Sequence, residues 1–336
     1  MKKINFGVVG LGSITQVMHL PILKKNPDVE IVSLCDKDKS KTKTLADKYK
    51  VPQFTSDMKE FFKNENMDAV IVATPNDSHA ELSIAALESG KDVLVEKPIA
   101  RNYKEAKSIY DKATELKRKV MVGMNNRFRP DTMLLKTLIQ KNEIGKVFYV
   151  KSGWLKKQTT LEKWFTQKKF SGGGVFIDHG IVLLDLSLWL LNFPEVLSVH
   201  SSSFYKEIKN VEDFSFVFLK LANNATLTIE VSWTMLQEND FMYCNLFGTE
   251  GSALLNPLKI QKQMHGNIVN LTPANMEKSP NYFKRSIENE LKHFIIALRG
   301  LTPIISSAEE AVKRMQVLDA IYKSAETGKE IILEKS

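Results

Sequence analysis

The sequence is poor in cysteine, has no obvious targeting segment and carries no repeats. Two cysteines, Cys35 and Cys244, in 336 residues are too few for a disulfide framework or a cysteine metal site. They predict a reducing, cytoplasmic setting and no metal. No stretch is expected to reach the ~18–20 apolar residues of a membrane span, so no membrane partner is predicted. The opening residues Lys2-Lys3-Ile4-Asn5-Phe6 run straight into a strand, without the apolar core of a secretory signal. Low-complexity segments are also lacking. The formal net charge is +8, yet the lysines are scattered. The densest group, Lys37, Lys39, Lys41 and Lys43, alternates with Asp38 and Ser40 and has no interleaved aromatics. That argues for a solvated surface with a mild attraction for anionic ligands, and against nucleic acid.

What is present is ordinary for a globular chain, with 43% hydrophobic and 26% charged residues. The first ~125 residues alternate short apolar runs with amphipathic stretches, the pattern of a parallel sheet under helices. Strands are predicted at Ile4–Val9, Glu30–Cys35, Gln53-Phe54, Asp68–Ala73, Asp92–Val95 and Val120–Met124. Helices are predicted at Ser13–Lys25 (bent or interrupted at Pro21), Asp38–Tyr49, Asp57–Asn64, Ser78–Ser89 and Tyr103–Arg118. After Arg127 strands crowd together: Gly145–Trp154, Val196–Tyr205, Phe214–Leu221, Ala225–Trp233 beyond an Asn223-Asn224 turn, Phe241–Leu246 and Ser252–Leu255. Two helices, Asn281–Arg299 and Ala308–Gly328, close the chain. The predicted fold class is α/β: an N-terminal doubly wound Rossmann domain over 1–125, then an α+β domain over 126–336 with an open, mostly antiparallel sheet. The C-terminal helices are free to pack back on the first domain.

The first strand ends in Gly7-Val8-Val9-Gly10-Leu11-Gly12-Ser13-Ile14-Thr15. Gly10 and Gly12 fit the first two positions of a G-x-G-x-x-G fingerprint, with Thr15 at the third. The first glycine allows a tight turn. The second lets a pyrophosphate approach the backbone, where the first helical N–H groups, at Ser13 and Ile14, supply donors. An acid about 20 residues on completes the pattern, and Asp36 ends the second strand. A carboxylate there hydrogen-bonds a ribose 2′-hydroxyl and repels a 2′-phosphate, which favours NAD over NADP; Lys37 and its neighbours soften that preference. The competing reading of Asp36 is a helix N-cap.

Ligands of open parallel sheets sit at the carboxyl ends of the strands. Thr74, Pro75, Asn76 and His79 follow the fourth strand, and Glu96-Lys97-Pro98 the fifth, so these segments face the cofactor. Lys97 is placed to hydrogen-bond a substrate hydroxyl or relay a proton. His79 reads as a packing residue rather than a catalyst. Together these segments resemble the glucose–fructose oxidoreductase and inositol dehydrogenase (Gfo/Idh/MocA) family. The resemblance extends through Val122-Gly123-Met124-Asn125-Asn126-Arg127-Phe128-Arg129-Pro130, through Gly172-Gly173-Gly174-Val175-Phe176-Ile177-Asp178, and through Gly248-Thr249-Glu250-Gly251. It implies an oxidoreductase using NAD or NADP on a sugar, inositol or related polyol, and a homodimer or homotetramer. It also implies a substrate-contacting Lys97, an Asn125 near the nicotinamide and an Asp178 against substrate hydroxyls.

One departure matters. Family members with the full motif carry a histidine four residues after the aspartate, one helical turn on and on the same face. Here that position is Val182, while His179 directly follows Asp178. In an α-helix it is rotated by about 100° from its neighbour; a turn around Gly180 can still bring it into the site. Lys97 is then the leading acid/base and His179 a further candidate, while Asp185 caps or braces the helix. Gly172-Gly173-Gly174 also reads as a tight turn with close packing. Trp154, Trp164, Trp189 and Trp233 read as core or interface residues, with Trp154 and Trp164 the ones to test as sugar platforms. Three functions stay open: a dehydrogenase or reductase, an enzyme that oxidises a sugar transiently to permit elimination or glycoside cleavage, and a sensor without catalysis.

Overall fold

The computed structural model describes residues 2–157, 162–236, 240–273 and 281–333. The chain forms two compact units, Met1–Met124 with Ile287–Lys313, and Asn125–Ser286 with Arg314–Ser336.

The first unit is a six-stranded sheet: β1 (Ile4–Val9), β2 (Val29–Cys35), β3 (Gln53–Thr55), β4 (Ala69–Val72), β5 (Asp92–Glu96) and β6 (Val120–Gly123). Their order is β3-β2-β1-β4-β5-β6 and every pair is parallel. This is the doubly wound order that switches direction between β1 and β4. Phe6, Val8, Val70, Ile71, Val93 and Val95 are wholly buried, as strands covered on both faces must be. The connections run through α1 (Leu20–Lys25), α2 (Lys39–Tyr49), α3 (Met58–Phe62), α4 (His79–Glu88) and α5 (Tyr103–Glu115). Asp38, Asp57 and Asn102 cap α2, α3 and α5 with side-chain oxygens, so the cap of α2 is Asp38 and not Asp36.

Pro21 does not interrupt the first helix. A π-turn over Thr15–His19 runs directly into α1. The wider turn accommodates a residue that has no N–H to give and whose ring would clash in a regular helix.

The second unit opens with α6 (Pro130–Gln140), which sequence reasoning missed, then β7 (Val147–Leu155), the short α7 (Lys168–Ser171), a π-turn over Phe176–Gly180 and α8 (Ile181–Leu190). There follow β8 (Val196–Phe204), β9 (Phe214–Leu221), β10 (Thr226–Ser232), β11 (Phe241–Gly248), β12 (Gly251–Leu255), β13 (Lys259–Met264) and β14 (Asn267–Asn270). The helices α9 (Tyr282–Leu298) and α10 (Ala308–Thr327) and the short β15 (Ile331–Ile332) end the described chain. In the first unit, Phe294 of α9 packs on Phe6, and Lys119 Nζ donates to the carbonyl of Ala297 at 2.6 Å.

The nine-stranded sheet has the order β14-β13-β12-β11-β7-β10-β9-β8-β15. Only β7 and β10 pair in parallel, so it is mostly antiparallel as predicted, and Asn224, in the β9–β10 turn, has φ +65°. Its inner face, including Val150, Val217, Leu219, Leu227, Ile229 and Leu246, is buried, and Ser152 of β7 meets Ser187 of α8 through their hydroxyls at 3.2 Å. Every residue of α8 is buried. Lys168–Leu190 is in fact long and apolar enough to cross a membrane by length and composition, contrary to the sequence expectation, but its 18-residue apolar window is entirely buried within the protein. The run is apolar all round because it lies in a core.

Candidate active site

The cradle in the first unit is built by Gly10 and Gly12. Gly10 has φ +89°, and a Cβ there would lie 2.3 Å from the carbonyl oxygen of Ala73. Only glycine lets the β1 turn press against the end of β4. Gly12 is the opposite case: a Cβ built on it meets nothing within 4 Å. Its open side, next to the first helical residues Ser13 and Ile14, fits the approach of a pyrophosphate to backbone N–H groups. Thr15, at the third glycine's position, is buried and donates its hydroxyl to the Gly10 carbonyl at 2.7 Å. The substitution therefore clamps the loop.

Asp36 stands at the end of β2. Its Oδ2 accepts the Leu11 N–H at 2.7 Å and pairs with the Lys41 ammonium at 3.0 Å, and Oδ1 accepts the Asp38 N–H at 2.9 Å. Burial pushes its pKa up, but those N–H groups and Lys41 outweigh burial and hold it below the usual value.

At the ends of β4 and β5, Ser78 donates to the Thr74 hydroxyl at 2.7 Å, and Pro75 and the buried Asn76 lead into α4. His79 is buried, with Nδ1 2.7 Å from the Pro98 carbonyl and Nε2 2.7 Å from the Thr74 carbonyl. Burial outweighs both carbonyls and pushes its pKa down; the neutral ring donates to one of them. His79 thus ties the two strand-end segments together, and its ring nitrogens are engaged within the protein rather than turned to a cofactor. Glu96 is likewise committed. Its Oε1 lies 2.7 Å from Nε2 of the buried His19, and Oε2 accepts the Lys97 N–H at 3.3 Å. Burial raises the Glu96 pKa, but His19, then Lys97, bring it below the usual value. The Lys97–Pro98 bond is cis.

In the second unit, Asn125 Nδ2 donates to Ser286 Oγ at 2.8 Å. Asp178 and His179 lie together on the π-turn, with His179 Nε2 3.3 Å from Asp178 Oδ2. A wider turn separates successive side chains by less than the α-helical angle, which brings two sequence neighbours side by side. Trp233 is buried and donates its indole N–H to Asp178 Oδ2 at 3.2 Å. Trp154 stacks on the His179 ring, with centroids 4.1 Å apart and planes 11° from parallel. Val182 is buried. Trp164 stacks on Phe165 instead. Asp185 braces rather than caps: it takes Arg127 at 2.8 and 2.6 Å and Arg314 at 2.7 Å, all three buried.

The triple glycine packs against groups that no sequence motif pointed to. A Cβ on Gly173 would overlap the Tyr322 hydroxyl, and one on Gly174 would lie 2.0 Å from the Glu212 carbonyl. The buried Glu212 carboxylate accepts the N–H groups of Gly174 and Phe176 and the Tyr322 hydroxyl, all at 2.9–3.0 Å. Tyr322 in turn accepts the Ile177 N–H at 3.2 Å. Three N–H groups leading into Asp178 are thereby satisfied. Among the described residues no group of three or more His, Cys, Asp or Glu is placed to hold a metal ion.

Residues 4–124 match the model for an oxidoreductase family with an NAD-binding Rossmann fold, and residues 136–333 match that family's C-terminal alpha/beta domain. The D-glucoside 3-dehydrogenase of Escherichia coli (strain K12) is 29% identical, over 97% of this chain and 96% of its own. The scyllo-inositol 2-dehydrogenase (NAD(+)) of Bacillus subtilis (strain 168) is 28% identical, over 92% of this chain and 91% of its own. A levoglucosan dehydrogenase solved with NADH and levoglucosan shares the fold at a TM-score of 0.89 and 22% identity, with both chains fully covered. On its glycine cradle, its sheet order and these matches along both units, the chain belongs to the Gfo/Idh/MocA oxidoreductase family.

Proposed function

We propose that this protein is an NAD(P)-dependent dehydrogenase that acts on a hydroxyl-bearing carbon of a sugar, inositol or related polyol. The similarity to D-glucoside and scyllo-inositol dehydrogenases supports the substrate class. The observation that carries the chemistry is the Asp178–His179 pair, enclosed by Trp154 and Trp233. Oxidising an alcohol removes a hydride from carbon and a proton from oxygen. The dinucleotide, when bound, supplies the hydride acceptor; the protein must supply the proton acceptor. His179 fills that role, and the Asp178 carboxylate stabilises the imidazolium that proton uptake creates. Trp154 fixes the ring plane. Lys97 of the first unit keeps the substrate-contacting role that the family resemblance implies. Val182 then marks a relocation of the acid/base group to position 179, which removes the motive for a sensor reading.

The second unit also supplies a surface for self-association. Phe204, Phe216 and Phe241 are about half exposed on the outer face of β8, β9 and β11, and large aromatics left open on one sheet face suit an interaction surface. A second copy, related by a closed symmetry, covers it. Light scattering should give twice the 38.1 kDa chain mass or a higher even multiple, and a 38.1 kDa particle would rule this assembly out.

The catalytic reading is tested by reduced-nicotinamide formation across sugars, inositols and sugar acids, with His179→Phe and Asp178→Asn alongside the parent. His179→Phe keeps the stack on Trp154 and loses the proton acceptor, so kcat should fall about 10²–10⁴-fold. An unchanged kcat in that variant would remove His179 from the reaction.

A further inference from the structure

The neighbourhood of Asp36 is built for more than a ribose diol. The carboxylate is buried, and its oxygens already hold three donors: the Leu11 and Asp38 N–H groups and the Lys41 ammonium. The Lys41 side chain is about one-third exposed, so it is able to leave Asp36 for an arriving anion. What normally excludes NADP at this place is the charge of the second-strand acid, and a cation nearby is what accommodates a 2′-phosphate. Here the two occupy one ion pair. Residues 36–43 carry four lysines, Lys37, Lys39, Lys41 and Lys43, against Asp36 and Asp38. The Asp38 side chain is tied down as the cap of α2, accepting the Lys41 N–H at 3.0 Å.

We propose that Lys41 sets cofactor selectivity in this protein: it offsets the charge of Asp36 and offers the 2′-phosphate a cation, so that NADP is bound alongside NAD. The proposal rests on the dinucleotide reading of the first unit. A ribose diol shares Asp36 Oδ2 with Leu11 and has little use for Lys41; a 2′-phosphate depends on it.

Binding, read by calorimetry on the full-length protein, tests this without any substrate. The probes are NAD and NADP, with 5′-AMP and adenosine 2′,5′-bisphosphate as fragments that isolate the ribose. The parent should bind NAD and NADP with affinities within about tenfold of each other. Lys41→Gln should weaken NADP and the bisphosphate about tenfold, the loss of one charge-assisted contact, and move NAD and AMP less than about threefold. Lys41→Arg should keep the parent's ratio, and added salt should erode NADP binding more in the parent than in Lys41→Gln. An unchanged NADP-to-NAD ratio in Lys41→Gln, a parallel loss of both cofactors, or a parent that excludes NADP would each overturn the proposal. A parent that binds neither dinucleotide would instead overturn the cofactor reading on which it rests.

Discussion

Replacing each cradle glycine by alanine should separate folding from binding. At Gly10 the added methyl meets the Ala73 carbonyl oxygen at 2.3 Å and the Thr74 nitrogen at 2.7 Å, and the backbone sits at φ +89°. A side chain in that conformation costs about 1–3 kcal/mol, and overlap with fixed backbone costs about as much again. Gly10→Ala should therefore destabilise the first unit by about 2–6 kcal/mol and lower its melting point by on the order of 5–20 °C. At Gly12 nothing lies within 4 Å of the added methyl, so Gly12→Ala should melt within a degree or two of the parent. The same methyl fills the side that the pyrophosphate approaches, and should weaken NAD binding about 10–100-fold, or roughly 1.4–2.7 kcal/mol. Thermal unfolding and NAD titration on both variants give the answer. A Gly12→Ala variant with parental NAD affinity would refute the placement of the pyrophosphate, and a Gly10→Ala variant with parental stability would refute the steric argument.

Other consequences follow from the buried polar groups. Glu212→Gln puts an amide N–H where the carboxylate accepts the Gly174 or Phe176 N–H, and should cost about 2–4 kcal/mol of stability in denaturant unfolding; Tyr322→Phe should cost about 1 kcal/mol. Asp185→Ala removes the carboxylate shared by the buried Arg127 and Arg314, with an expected loss of about 3–5 kcal/mol, whereas an exposed pair such as Lys313–Glu309 can be cut with little change. The Asp36 pKa is lower in the folded protein than its ordinary 3.8. Its stabilisation is therefore present above that value and is lost as pH falls through the folded one. Asp36→Asn should be less stable than the parent at pH 7, with the gap closing below about pH 4; a gap that stays constant with pH would contradict this.

The sequence was most legible where the physics is local. Gly10, Gly12 and Asp36 announce themselves by spacing along one strand–turn–helix unit, and the alternation in Phe214–Leu221 matches the observed burial of β9. Helix α6 and the strands β13 and β14 carried no comparably clear period or cap and were missed. Pro21 misled because a π-turn, which leaves no plain sequence signal, absorbs it. A π-turn also places His179 beside Asp178, where α-helical geometry alone would have kept them apart. The partners of the site residues were illegible for another reason. His19 with Glu96, Trp233 with Asp178, and Glu212 and Tyr322 with the glycine run are joined across dozens of residues, and such pairings exist only once the sheets have set the register. Both the glycine run and His79 were noticed for their motifs, yet much of what they do is hold the chain around the site.

Hydride transfer to the nicotinamide leaves a trace that deuterium reads. A sugar or inositol deuterated at its ring carbons would be incubated with stoichiometric protein and NAD, and the nicotinamide and the carbohydrate analysed by mass spectrometry. One deuterium is expected on the reduced nicotinamide, with a keto group on an otherwise intact carbohydrate. Cleaved carbohydrate with the label back on carbon and no net reduction, or no transfer to any substrate despite saturating NAD binding, would contradict it.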